Sequence, residues 1–88
     1  MITHDEQKQR FERTENGQTA VIEYRLRDGL IDLTHTYVPP ELEGQGIAAS
    51  LARYALDYAR EQSLKVRPSC SYIRVYIQRH PEYGDLIG

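Results

Sequence analysis

The chain has 88 residues and a formal net charge of −2, with 40% hydrophobic and 27% charged residues. That balance fits an ordinary globular domain, and its acidic sign argues against a general nucleic-acid binder, which carries a basic excess. A chain this short buries only about 60–65% of its unfolded surface, so one domain of modest stability, 1–88, is expected. No apolar run approaches the roughly 18–20 residues of a membrane span. Met1 to Arg10 is polar and lacks the apolar core of a signal peptide. A single cysteine allows no internal disulfide, and a reducing cytoplasm is the expected compartment.

In chain order, Met1 to Gln7 reads as a loose start. Lys8 to Thr14 alternates weakly around Phe11, as a short edge strand does. Asn16-Gly17 is a hairpin signal, because both residues tolerate positive φ. Thr19 to Arg27, with Val21, Ile22, Tyr24 and Leu26, is a strand. Asp28-Gly29 marks a second hairpin turn. Leu30 to Val38 follows as the third strand, and strict alternation puts Ile31, Leu33, His35 and Tyr37 on one face. Leu30, Asp32, Thr34, Thr36 and Val38 take the other. Three strands and two tight turns make an antiparallel meander.

Pro39 and Pro40 cannot continue a ladder, since neither has an N–H. Gly44 and Gly46 then permit a tight turn, and a helix is expected from Ile47 to Gln62. Ile47, Leu51, Tyr54, Ala55 and Tyr58 recur at helical spacing, with Ala48, Ala52 and Leu56 beside them. Leu64 to Pro68 reads as a short strand, parallel to the one before the helix. Ser69 or Ser71 can cap a second helix, Tyr72 to Arg79, which His80-Pro81 ends. Pro81 to Gly88 is a tail open to docking by Tyr83, Leu86 or Ile87, with its last residues, 84–88, expected to be loose. The order is β-β-β-α-β-α, an α/β fold with a mixed sheet.

A strand, a glycine turn and a helix N-terminus form a natural anion site. The first helical amides lack partners within the helix, and the dipole is positive at that end.

Together, Val38-Pro39-Pro40, Glu43-Gly44-Gln45-Gly46-Ile47-Ala48 and the helix–strand–helix that follows resemble the acetyl-CoA-binding half of the GNAT acetyltransferase superfamily. Its motif is Arg/Gln-x-x-Gly-x-Gly/Ala. Gly46 and Ala48 match the later positions, while Glu43 stands where Arg or Gln is usual. The likeness is strongest to small single-domain members in which a His-Thr segment precedes the turn and a Ser/Thr-Cys segment follows it. Here these are His35-Thr36 and Ser69-Cys70-Ser71-Tyr72-Ile73. The resemblance implies a compact fold with a splayed central strand pair, and acetyl-CoA as acetyl donor. It further implies that Gly44, Gln45, Gly46, Ile47, Ala48 and Ala49 hold the pyrophosphate and that Val38 offers backbone groups to the pantetheine.

The same resemblance makes Cys70 and His35 the candidate catalytic pair. Cys70 lies before a helix start, which favours a thiolate. It can accept an acetyl group or protonate the leaving CoA thiolate, or it can be a small buried apolar residue. His35 can take a proton from an amine or from Cys70, or serve as a strand histidine bonded to a neighbour. Members of the superfamily often use a tyrosine of this last helix as proton donor to the CoA sulfur, and Tyr72 and Tyr76 are both open to that role or to packing. Arg74, Arg79, Lys65 and Arg67 form a modest basic cluster, read as a solvated face or as neighbours of the CoA 3′-phosphate. Three scattered histidines and one cysteine lack the spacing of a metal site.

The implied function is transfer of acetyl from acetyl-CoA to an amine, a protein lysine among the candidate acceptors. Tight hairpins stand where larger members carry helices that wall the acceptor site, so that side is expected to be open. The rival readings are a non-catalytic CoA or acyl-CoA sensor and a protein-interaction domain without the cofactor. Acceptor and oligomeric state stay open.

Overall fold

The structure is a computed structural model that describes residues 1–88. Five strands form one sheet in sequence order. They are β1 (Ile2–Asp5), β2 (Arg10–Glu15), β3 (Gln18–Arg27), β4 (Leu30–Tyr37) and β5 (Lys65–Arg67). β1 to β4 are antiparallel neighbours, and β5 joins β4 in parallel. Two helices, α1 (Ile47–Glu61) and α2 (Ser71–Arg79), cross one face, and 3-10 turns occupy Pro40–Leu42 and Pro81–Leu86.

The expected hairpins form. Asn16 and Gly17 both have positive φ, as do Asp28 and Gly29, and each pair closes a two-residue loop, Glu15↔Gln18 and Arg27↔Leu30. That backbone matches the twist of the strands it joins. Two expectations about the ends are corrected. Met1 to Gln7 is not a loose start, because Ile2–Asp5 pairs with Arg10–Arg13. β2 is therefore an inner strand. At the other end the 3-10 turn buries Tyr83 and Leu86, Ile87 bridges to Val66, and the Gly88 amide donates to the Val66 carbonyl at 3.1 Å. Sequence pattern misses β1 because a four-residue strand is too short for periodicity to register, whereas the tail docks through Tyr83, Leu86 and Ile87, the residues open to that role.

The core lies between the sheet and α1. Phe11, Ile22, Ile31, Leu33, Leu51, Leu56 and Val66 are fully buried, together with Ala52, Ala55 and Ala59. Small side chains on the inner face of α1 let it lie close to the strands, and each large aliphatic buried there contributes about 1.5–3 kcal/mol. Tyr54, read as part of that face, stays 41% exposed at the edge of the layer.

Two irregularities shape the site. β4 pairs with β5 only over Leu30–Asp32, although β4 continues to Tyr37. The strands then part, and the last link is the Cys70 amide donating to the Leu33 carbonyl at 2.9 Å. This parting pair stands at the end of the sheet rather than at its centre. The other irregularity is a bulge in β4. Tyr24 pairs with Leu33 but Glu23 pairs with His35, so Thr34 is an extra residue. One inserted residue reverses the alternation beyond it.

Candidate functional site

Past the bulge, Thr36 and Val38 take the face that Ile31 and Leu33 occupy before it. Thr36 lies opposite Ile22, which is fully buried against the helices. His35 lies opposite Glu23 on the far face, exposed to solvent. The expected pairing of His35 with Cys70 is therefore not formed, and the predicted face of Ile31, Leu33, His35 and Tyr37 breaks at Thr34. Thr36 stands in its place, with its Oγ1 3.3 Å from Cys70 Sγ.

A cavity of about 340 Å³ opens between the end of β4, the glycine turn and α2. Thr36, Val38, Leu42 and Glu43 line it on one side, Gly44, Gly46 and Ile47–Ala49 on another, and Tyr72 closes it from α2. Of the sequence-predicted binding residues, Val38, Gly44, Gly46, Ile47, Ala48 and Ala49 meet here. Gln45 does not line the cavity, and its side-chain amide donates to the Glu41 carbonyl at 3.4 Å.

The turn is built for a ligand with many acceptor atoms. The Leu42 and Glu43 amides donate to the Pro39 and Pro40 carbonyls, and the next backbone donor engaged is Ser50, to the Gly46 carbonyl at 3.0 Å. The amides from Gly44 through Ala49 have no partner in the chain, and no side chain caps α1. Gly44 and Gly46 have φ of +83° and +75°, and a Cβ at either would meet nothing within 4 Å. Glycine serves there for its backbone conformation rather than for lack of room. Free amides at the positive end of a fifteen-residue helix fit a phosphate or diphosphate. Glu43 places a carboxylate at the rim of the same cavity.

Cys70 stands behind the cavity wall at the N-cap of α2, where the sequence reading has a serine. Burial pushes its thiol up, but hydrogen bonds from the Thr36 hydroxyl and from the Ile73, Tyr72 and Thr36 backbone outweigh this and hold the pKa below the ordinary thiol value. Tyr72 moves the other way. Burial first, then the neighbouring Tyr76 and Cys70, raise its phenol, so it keeps its proton at neutral pH. Tyr76 is instead buried and stacked on His80 at 4.0 Å, and His80 bonds the Tyr76 carbonyl through Nδ1. The basic cluster read from the sequence divides. Arg74 donates to the Pro68 and Ser69 carbonyls, while Arg67 faces the opposite side of the sheet beside Arg25 and Arg27.

Thr36 and Tyr72 are what the sequence reading leaves without a firm role. The one signal for Thr36 is Val38, an apolar residue out of phase with Leu33, which marks a shift in alternation between them.

A mixed sheet whose last two strands part beside a glycine turn of free amides defines an α/β acyltransferase-type fold. The chain belongs to the GCN5-related N-acetyl-transferase family, whose model matches residues 10–86. It is 39% identical over 83 residues to Protein NATD1 of Mus musculus, covering 91% of this chain and 76% of that protein. With Protein NATD1 of Homo sapiens it shares 37% identity over 91% of this chain and 74% of the relative. The solution structure of a GCN5-like protein from Staphylococcus aureus superposes with a TM-score of 0.77 at 32% identity, covering 100% of this chain and 87% of that one.

Proposed function

We propose that the protein binds acetyl-CoA and transfers its acetyl group to an amine. The observation that carries this reading is the run of free amides from Gly44 to Ala49 opening into a cavity that Thr36 and Tyr72 also line. In this reading the amides hold the diphosphate, Val38 meets the pantetheine, and the thioester reaches the Thr36–Cys70 corner. Cys70, with its lowered pKa, attacks the thioester carbon as thiolate. The carbon–sulfur bond to CoA breaks, and Tyr72, still protonated, gives its proton to the departing sulfur. An amine then takes the acetyl group from Cys70, the proton it gives up restores the Tyr72 phenol by way of solvent, and the thiolate returns.

A second reading, a CoA or acyl-CoA sensor without turnover, draws on Glu43, whose carboxylate at the rim disfavours an anionic ligand. Calorimetry with CoA, run beside mass spectrometry after mixing with acetyl-CoA, separates the two. Transfer predicts binding together with one acetyl group on wild-type protein and none on Cys70→Ala. Binding with no acetylation and no labelled amine product supports the sensor, and absence of binding overturns both.

A further inference from the structure

The arginines of the chain divide into two groups. Arg10 pairs with Glu12, Arg13 with Glu15, Arg53 with Asp57 and Arg60 with Asp85, and Arg74 is held by the Pro68 and Ser69 carbonyls. Arg25, Arg27, Arg67 and Arg79 make no ion pair. Arg79 stands apart on α2. The other three are exposed and converge on a hollow of about 210 Å³, on the face of the sheet away from the helices, with Leu30 and Asp32 between them. Strand register sets their spacing. Arg25 on β3, Asp32 on β4 and Arg67 on β5 form one row across the sheet, and Arg27 opposite Leu30 belongs to the next. Arg25 and Arg27 are alternate residues of one strand, so their backbone positions lie about 6.8 Å apart, and Arg25 and Arg67 stand two strand spacings apart, about 10 Å. Asp32 gives the hollow its one carboxylate, with Oδ1 buried out of reach. Three guanidinium groups against that carboxylate leave a positive patch on a chain whose net charge is −2.

We infer that this patch docks a partner protein through an extended acidic segment whose carboxylates recur at every second residue. Charge complementarity carries the assignment. An extended strand presents alternate side chains on one side at the same repeat of about 6.8 Å, so two of its carboxylates fall opposite Arg25 and Arg27. Arg67, across the hollow, closes on the same segment from β5. Each guanidinium matches a carboxylate as two parallel N–H···O bonds. No carboxylate of the chain has to be displaced first, because these arginines are unpaired. A nucleic acid fits less well. Glu23 shares the face two residues before Arg25, and Asp28 directly follows Arg27, so a longer polyanion meets like charge at both ends of the patch. The basic excess of a nucleic-acid binder is also missing. The patch shares no lining residue with the cavity at the glycine turn, so docking here stands or falls independently of acetyl transfer.

The test titrates the whole protein with end-blocked peptides and follows amide NMR shifts. The probe alternates glutamate with serine. Its controls carry the same glutamates in one block, or glutamine in place of glutamate, and a short oligothymidylate stands for nucleic acid. The alternating peptide is expected to shift the signals of Arg25, Arg27, Asp32 and Arg67, and its Kd to rise with salt. Arg25→Gln with Arg67→Gln is expected to weaken it about tenfold and to leave CoA affinity by calorimetry unchanged. Arg53→Gln with Arg79→Gln removes as much charge elsewhere and is expected to leave peptide binding as it is. Equal losses in the two double variants would mean unspecific attraction to a cation and overturn the patch. Equal binding of the blocked-charge peptide overturns the alternating geometry, and tighter binding of the oligothymidylate overturns the acidic protein segment as occupant. Absence of shifts with the alternating peptide strikes the docking site itself.

Discussion

Cys70 Sγ and Thr36 Oγ1 lie 3.3 Å apart although 34 residues separate them in the chain. The bulge at Thr34 makes this contact, because it turns Thr36 inward and His35 outward. The Thr36 hydroxyl donates to the thiolate and so favours it over the thiol. Thr36→Val keeps the shape and removes the donor. The Cys70 pKa is then expected to rise, because the thiolate loses one of the donors that hold it down. The pH profile of iodoacetamide alkylation measures it. His35→Ala is expected to leave that profile unmoved, and a shift equal to that of Thr36→Val would mean the bulge is misassigned.

The same bulge marks the limit of what the residues announce. Asn16-Gly17 and Asp28-Gly29 declare their hairpins locally, since positive φ at both positions has few chemical solutions. The glycine turn and the apolar stripe of α1 are equally local. Thr34 carries no such mark. An extra residue in a strand is a property of its pairing with β3, and alternation read along β4 alone carries His35 to the wrong face. β1 escapes notice for a related reason, and of the C-terminal turn only the docking residues Tyr83, Leu86 and Ile87 are legible. Their stability comes from Phe11, Val66 and other residues distant in sequence, not from their own pattern.

Gly46 joins the turn to α1 with φ of +75°. A side chain there has open space but must adopt a left-handed backbone, at about 1–2 kcal/mol. Gly46→Ala is expected to lower the unfolding free energy by that amount in urea titrations and to weaken CoA binding. Gly46→Asn is expected to lose less, because asparagine visits this region more readily. Equal losses in the two variants would point to a steric cause instead.

Glu43 sets a like charge at the rim of the proposed diphosphate site. A charge near a helix N-terminus is worth about 0.3–1 kcal/mol at low ionic strength. Glu43→Gln is therefore expected to tighten CoA binding by about two- to fivefold. The gain should shrink as salt rises and screening sets in. Calorimetry at two salt concentrations checks both parts, and weaker binding in Glu43→Gln would show that the carboxylate supports the turn.

His4 ties β1 to the core and gives folding a pH dependence. Its Nε2 is 2.5 Å from the Tyr24 hydroxyl, and its ring stacks on Phe11 at 4.3 Å. Burial lowers its pKa, against the opposing pull of Glu6 and Asp5, and burial also pushes the Tyr24 phenol up to about 12. A histidine whose folded pKa lies below its unfolded value favours folding fully above about pH 6.5. That contribution is lost as pH falls through the folded value, because the unfolded chain takes up the proton first. The melting temperature should therefore drop on acidification below about pH 6.5, and the drop should be shallower in His4→Phe, which keeps the stacking and cannot titrate. Identical pH profiles for the two proteins would place the acid sensitivity elsewhere, with the carboxylates the next groups to examine.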